Sequence, residues 1–308
     1  MTKYMKLARV TAWPALALVF LIPFAAGANT ETNFGDVLFG FVAIASFASF
    51  VFALNFYSDK DTDRYHSGKR KDFNLSRQPL VTGEVTEREC RAFCGVTLLS
   101  AIIFSFLVSN LFALLVILAC LFGGILYSHP WIRLKAKPLG DIFCISSVGV
   151  LVPSAGYLLG IGVVPDSLIL LYLFILTAII YTASVMSDYE FDLKARLKTS
   201  AVFFGQGRLV KAMAISCALS LPVALMIVVE SYPLGTKLIV TLIGVSSIVI
   251  VMVAWKRLRA PRLHMPILAS SPRWIFILPG IFSLLFVSYA FFKIISNSYI
   301  PWDPFLIY

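Results

Sequence analysis

Two groups of carboxylates in this sequence have a spacing suited to holding a divalent cation. The first reads Asn55-Phe-Tyr-Ser-Asp59-Lys-Asp61-Thr-Asp63-Arg64 and the second Asp188-Tyr-Glu190-Phe-Asp192. Of the 16 Asp and Glu residues, seven lie between 59 and 89 and three between 188 and 192, so the acids are concentrated rather than scattered. If the helix continues, positions i, i+4 and i+8 form one ridge. Asn55, Asp59 and Asp63 then share a stripe, Asp61 points elsewhere, and Asp188 and Asp192 make a matching pair. Carboxylates four apart repel by about 0.2–0.5 kcal/mol per pair, so two such stripes call for a compensating cation. All-oxygen ligation favours Mg²⁺ or Ca²⁺ over zinc or copper. Mg²⁺ usually takes one or two carboxylates and completes its octahedron with water and phosphate oxygens. Asp61, Asp72, Glu84, Glu87 and Glu89 read instead as solvated loop acids that balance nearby Lys and Arg.

The elements that must position these carboxylates are membrane helices. The chain has 308 residues, of which 59% are hydrophobic and only 14% charged. Soluble domains are about 25% charged, so an ordinary cytosolic enzyme, a disordered protein and a disulfide scaffold are all excluded. Runs without Asp, Glu, Lys or Arg cover 10–30, 37–58, 92–132, 142–165, 167–187, 212–229, 238–255 and 274–292. A bilayer core about 30 Å thick needs about 20 helical residues, so seven of these runs fit one crossing apiece. The 92–132 run is twice that length and carries a polar Ser109-Asn110 step, which predicts two helices joined by a tight turn. The expected fold is an all-α polytopic membrane protein, a single domain over 1–308 with nine transmembrane helices bundled around a central cavity.

The basic residues test that count independently. With nine spans, the N-terminus and the even-numbered loops share one side, and 22 of the 26 Lys and Arg residues fall there. They include Lys3, Lys6 and Arg9, the loops about 58–90 and 188–210, and the cluster from Lys256 to Arg273. The positive-inside rule then predicts a cytoplasmic N-terminus, a C-terminus outside, and both acidic groups at the cytoplasmic face. The net charge of +10 follows from these orienting loops and anionic head groups and calls for no nucleic acid. The basic, then apolar N-terminus mimics a signal peptide, but eight further spans favour a retained first helix. Cys90, Cys94, Cys120, Cys144 and Cys217 fit no zinc or CxxC spacing and read as buried free thiols; His66, His129 and His264 are too scattered to share a metal.

The two acidic stripes resemble those of the UbiA superfamily of intramembrane prenyltransferases. Asn55, Asp59 and Asp63 meet its N-x-x-x-D-x-x-x-D signature at the end of the second helix. Asp188, Glu190, Asp192, Lys198, Thr199 and Gly205 fall in register with a second signature after the sixth helix, where Phe191 and Arg196 replace two glycines. Tyr127-Ser-His-Pro-Trp-Ile-Arg133-Leu-Lys135 resembles the Tyr-Ser-x-Pro segment with its paired basic residues. The stretch 77–83 resembles the R-P-L-x-x-G segment, and Arg9 a basic residue that opens the first helix. Phe56 stands where many members have Asp, and the stretch from Asp63 to Arg77 is longer than in quinone-type members.

The resemblance implies transfer of an isoprenoid chain from a polyprenyl diphosphate to a lipophilic acceptor, such as a quinone precursor or another lipid, with release of diphosphate. It implies that Asp59 and Asp63 hold one Mg²⁺ and Asp188 and Asp192 a second, both bridging the diphosphate. Asn55, Arg9, Arg133, Lys135 and Lys198 would donate to its oxygens, and Tyr127 would reach the diphosphate or face the allylic carbon. Ionisation would leave an allylic carbocation that a water-excluding bundle rich in aromatic faces can shelter. Two other readings compete. A phosphotransferase of the CDP-alcohol type would need a long acidic signature of which Asp192-Leu-Lys-Ala-Arg196 is only a fragment, and an ion-coupled transporter would place carboxylates mid-span.

Overall fold

A backbone in hydrocarbon has no water to bond and must satisfy its own N–H and C=O groups, so long apolar runs fold as helices. The computed structural model describes residues 2–27, 33–67, 78–229 and 234–259. Its helices are α1 (Lys3–Leu7), α2 (Trp13–Gly27), α3 (Phe34–Ser67), α4 (Glu87–Val108), α5 (Asn110–Ala119), α6 (Gly140–Ile161), α7 (Ser167–Ser187), α8 (Tyr189–Lys194), α9 (Ser200–Phe204), α10 (Gln206–Val229) and α11 (Leu234–Arg259). No strand occurs among the described residues. Among the described residues, five helices are long and apolar enough to cross a membrane: Phe34–Arg64, Glu87–Val108, Gly140–Ile161, Ser167–Ser187 and Gln206–Val229. The expected spans at 10–30 and 238–255 coincide with α2 and α11. The span expected at 274–292 lies outside the described residues.

The long 92–132 run does break where the polar step predicts. Ser109 adopts an extended conformation, and its hydroxyl accepts from the Phe112 N–H at 3.1 Å, capping α5. At the other end of α4, Thr86 and Glu89 form a reciprocal capping box. A π-turn over Cys120–Leu126 continues α5. Its Gly123 faces Val148 of α6 and its Gly124 faces the Phe50 ring of α3, which brings three helices together above Tyr127.

Apolar side chains face outward as well as inward. Val96, Leu99, Ile103 and Phe106 on α4 and Ile215, Leu219 and Leu225 on α10 are each more than half exposed. That pattern suits lipid as the surrounding solvent, and the protein is an integral membrane protein by its helices. Inside, one buried cluster joins α2, α3, α4, α5 and α6 around Phe20, Phe47 and Phe112. A second joins α7, α9, α10 and α11 around Ile179, Met213 and Ile250. All five cysteines are free and buried.

Three features of this frame position the acidic groups. Helix α3 has 34 residues, about 51 Å at 1.5 Å each, so it outruns a bilayer core and carries Asn55, Asp59 and Asp63 on a continuous ridge. The second pair differs from expectation, because α7 stops at Ser187 and Asp188 caps it. The i,i+4 spacing nevertheless survives: the Asp192 N–H donates to the Asp188 carbonyl at 2.9 Å across the break. Past α8 the chain reverses in a Schellman-type turn, with Leu197 N–H on the Asp192 carbonyl at 2.9 Å and Arg196 N–H on the Leu193 carbonyl at 3.2 Å. Arg196, which replaces a signature glycine, takes the left-handed φ of +56° that such a glycine would adopt.

Two predictions follow from these backbone constraints. A Cβ at Gly156 would sit 2.1 Å from the Phe20 carbonyl oxygen, so α6 and α2 meet backbone to backbone there. Gly156→Ala should therefore destabilise the protein by about 1–3 kcal/mol, read as a lower midpoint of thermal unfolding in detergent. Arg196→Gly should leave that midpoint unchanged or raise it, whereas Arg196→Val, forced into the left-handed region with a branched side chain, should lower it.

Candidate active site

Asn55, Asp59, Asp63, Tyr127, Arg133, Lys135, Asp188 and Asp192 line one cleft of about 270 Å³ at the end of the bundle where α3 and α7 terminate. Its two walls come from different parts of the chain. One is the α3 ridge together with the 127–136 segment; the other is the end of α7 with α8 and Thr199. Of the ten residues singled out from the sequence, Arg9 and Lys198 are not in the lining. Arg9 is exposed, with its guanidinium 5.5 Å from the centre of the Phe52 ring, though its charge acts on Asp63. Lys198 is exposed beside Thr199.

The first wall is an ionic lattice. Asp59 Oδ1 accepts from Arg133 Nη2 at 3.1 Å and lies 2.7 Å from Lys135 Nζ. Lys135 also donates to Asn55 Oδ1 at 2.8 Å, and that oxygen takes a second bond from the Ser128 hydroxyl at 3.1 Å. Both cations reach the cleft because the chain bends at Arg133, whose φ of +43° turns a short helical turn, Leu134–Ala136, toward α3. Burial lowers the Lys135 ammonium below its ordinary value, and the Asp59 carboxylate pulls it back up. At the far end of the ridge the Asp63 carboxylate accepts from Gln78 Nε2.

The second wall is held by local bonds. Thr199 Oγ1 donates to Asp192 Oδ2 at 3.0 Å. Burial pushes the Asp192 carboxyl up to about 6; the Thr199 bond opposes this, and the charges of Asp188, Asp141 and Asp59 add to it. The two walls are thus close enough for their charges to act on each other. Between them the hydroxyls of Tyr127 and Tyr181 meet at 2.7 Å.

Sequence reasoning missed Gln78, Tyr181, Asp141 and Thr62, which also belong to this site. Gln78 sits inside the 77–83 stretch whose resemblance was noted, so a signal existed. Tyr181 lies about two turns before Asp188 and carries none, because a tyrosine in an apolar helix reads as packing. The acids read as solvated loop groups behave so: Glu84 pairs with Lys6, Glu87 with Lys60, Glu89 with Lys3, and exposed Asp61 with Arg64. Asp72 and Arg77 lie outside the described residues.

No three His, Cys, Asp or Glu side chains come close enough to hold a cation by themselves among the described residues. Instead, carboxylates face one another in pairs, an arrangement suited to a divalent ion whose other ligands are water and phosphate. The buried Arg133 Nε–H has no hydrogen-bond partner. An orphaned guanidinium donor at a cleft wall is a position ready for an anion, since leaving it unmade costs about 1–3 kcal/mol. The donor set therefore fits a magnesium–diphosphate pair better than a bare metal.

A family pattern and solved structures match this chain along most of its length. The sequence matches the UbiA prenyltransferase family over residues 12–278. A 4-hydroxybenzoate octaprenyltransferase from Dechloromonas aromatica (strain RCB) is 32% identical over 157 residues, which span 50% of this chain and 49% of that protein, so the match covers about half the length of this curated relative. The structure of a UbiA homologue from Archaeoglobus fulgidus bound to GPP and Mg²⁺ is 31% identical, with a TM-score of 0.83, covering 95% of this chain and 99% of that one. The same homologue bound to DMAPP and Mg²⁺ matches with a TM-score of 0.84 at 32% identity and the same coverage. With the family's pattern spanning the helices that build both walls of the cleft, this chain is a member of the UbiA prenyltransferase family.

Proposed function

We propose that this prenyltransferase moves an isoprenoid chain from a polyprenyl diphosphate to a lipophilic acceptor, a quinone precursor or another lipid, releasing diphosphate. The observation that carries the reading is the facing of two carboxylate pairs across one cleft with Arg133 and Lys135 on its wall. It is supported by the A. fulgidus homologue, which binds GPP or DMAPP with Mg²⁺, and by the D. aromatica relative, which is a hydroxybenzoate prenyltransferase. Neither rival reading has such support.

In this reading Asp59 and Asp63 on one wall and Asp188 and Asp192 on the other hold two Mg²⁺ ions, which when bound offset the charge that develops on the departing diphosphate. Asn55 keeps Lys135 aimed at the cleft. Arg133 turns from Asp59 toward the diphosphate oxygens, its free Nε–H adding a second donor in the fork that suits phosphate. Arg9 and Lys198, at the rim, attract the anionic donor rather than hold it. Tyr127, paired with Tyr181, presents an aromatic face toward the allylic carbon as the C–O bond breaks, and such a face stabilises a cation by about 0.5–2 kcal/mol. The prenyl tail then runs into the apolar interior, where water is excluded.

The same reading sets the topology. The domain is 1–308, with nine spans, a cytoplasmic N-terminus and an outside C-terminus, so that the cleft opens to the cytoplasm. Two features support it. The basic loops alternate with this count. The N-terminal segment, the α3 end and the 84–89 turn also share one end of the bundle through the Lys3–Glu89, Lys6–Glu84 and Lys60–Glu87 ion pairs.

Radiolabelled geranyl and geranylgeranyl diphosphate, supplied to the purified protein in detergent with Mg²⁺ and a lipid extract as acceptor source, should yield a labelled lipid. Metal-independent or absent diphosphate binding would overturn the reading. Asp59→Ala and Asp188→Ala should each lower Mg²⁺-dependent diphosphate release on the order of 100-fold or more, and near-full activity in both would sink the metal assignment. Lys135→Met should raise KM for the donor about tenfold, because it removes one charged donor to the diphosphate and leaves Asp59 less compensated.

A further inference from the structure

Asp141 is the remaining carboxylate of the cleft wall, and the reaction proposed above gives it no role. Its exposure is 0%. Both of its oxygens are already taken. Oδ1 accepts from the Ile142 N–H at 2.8 Å and from the Ser200 hydroxyl, and Oδ2 accepts from the Ser200 N–H at 3.0 Å. Ser200 Oγ in turn accepts from the Leu139 N–H at 2.7 Å. A carboxylate so saturated has little capacity left for a metal or for a substrate proton, so its purpose must lie in what it ties together.

It ties the two walls. On one side Asp141 opens α6, directly after the compact 133–140 turn that carries Arg133 and Lys135. That turn is closed by Lys137 N–H on the Leu134 carbonyl at 2.9 Å and Gly140 N–H on the Lys137 carbonyl at 3.1 Å. On the other side Ser200 opens α9, and its chain neighbour Thr199 is the residue that holds Asp192. Leu139 adopts a left-handed φ of +64°, an unfavoured conformation for a branched side chain, and that side chain is 57% exposed and so gains little by packing. What the conformation does achieve is to aim the Leu139 N–H at Ser200.

We propose that Asp141 is a positioning residue: through Ser200 and Thr199 it fixes the wall bearing Asp188 and Asp192 relative to the basic turn and the α3 ridge, and so sets the separation across which cation and diphosphate are held. The inference rests on the proposed role of those carboxylates, and its test separates the two. Loss of a hydrogen-bond partner of a metal ligand, which Thr199 is to Asp192, typically changes metal affinity about 10–100-fold, and Asp141 acts on that partner through its chain neighbour Ser200.

The test compares Asp141→Asn and Ser200→Ala with Asp166→Ala. Asp166 caps α7 at the opposite end of that helix from Asp188, accepting from Leu168 and Ile169 N–H groups, so its loss is a purely structural control. Hydrogen exchange over residues 188–204 in the metal-free protein should be about tenfold faster in Asp141→Asn and in Ser200→Ala and unchanged in Asp166→Ala. Binding of Mn²⁺ in the presence of inorganic diphosphate, read by electron paramagnetic resonance, should weaken about tenfold in the same two variants. The Mg²⁺ concentration for half-maximal turnover should rise with it, while kcat at saturating Mg²⁺ changes little. The double variant should be no weaker than Asp141→Asn alone, because both residues act through one contact. Unchanged exchange and unchanged Mn²⁺ affinity in Asp141→Asn would overturn the proposal, as would equal losses in Asp166→Ala. If the exchange and Mn²⁺ differences appear but the wild-type protein transfers no prenyl group, the assigned reaction fails and the positioning role stands.

Discussion

The fold depends on holding several carboxylates in a partly dry cleft without letting them drive each other apart. Asp59 solves this with two cations on a single oxygen, Arg133 at 3.1 Å and Lys135 at 2.7 Å. Burying any of these charges alone would cost several kcal/mol, and the pairing returns that cost only because further bonds satisfy the remaining donors and acceptors. Asn55 supplies one such bond by accepting from Lys135, and Ser128 anchors Asn55. The arrangement is therefore metastable by construction: it is stable enough to fold around, yet Arg133 Nε is left without a partner and Asp192 is pushed up to about 6 by burial. Both conditions are relieved by a ligand that brings anionic oxygens and divalent cations together.

The rest of the architecture exists to keep those charges at one depth. Helix α3 is long and unbroken, so three site residues are set by helical geometry alone. The opposite wall is assembled differently, from a helix that stops, a short helix, a reversing turn at Arg196 and a second short helix, each closed by its own backbone bonds. The contrast makes one wall a rigid reference and the other a built surface. A built surface needs an external tie, and the contacts of Ser200 with Asp141 and with the Leu139 N–H reach across to the basic turn.

How far the sequence revealed this depended on the length scale of each interaction. Helices set by hydrophobic runs were legible, including the break at Ser109, because a hydroxyl that caps and a polar step inside 41 uncharged residues are local signals. The α3 ridge was legible for the same reason: i, i+4 spacing is geometry written in one dimension. The α7–α8 break at Asp188 was not, since a stop inside an acidic run looks like a continuing helix. Nor was Arg196, where an arginine hides a left-handed residue that a glycine would have announced. Gln78, Tyr181 and Asp141 come from stretches 15, 54 and 59 residues away from their partners Asp63, Tyr127 and Ser200, and no single-chain periodicity connects them.

That division follows from what a bilayer permits. In hydrocarbon the backbone leaves almost no choice, so apolar composition alone predicts helices and their approximate ends. At the interface, water returns as a competitor for every hydrogen bond, and the chain is free to turn, cap and cross. Specificity is therefore concentrated where prediction from one sequence is weakest. An amphiphilic substrate such as a prenyl diphosphate imposes the same division, with a tail that asks only for a dry apolar interior and a head group that needs donors and cations at fixed separations. A chain that meets both demands must place its polar machinery at one end of a helical bundle, as the shared cleft at the ends of α3 and α7 does. The chain follows the same division at Arg196, which differs from the family's glycine in the turn between α8 and α9, where a left-handed residue reverses the backbone beside the cleft.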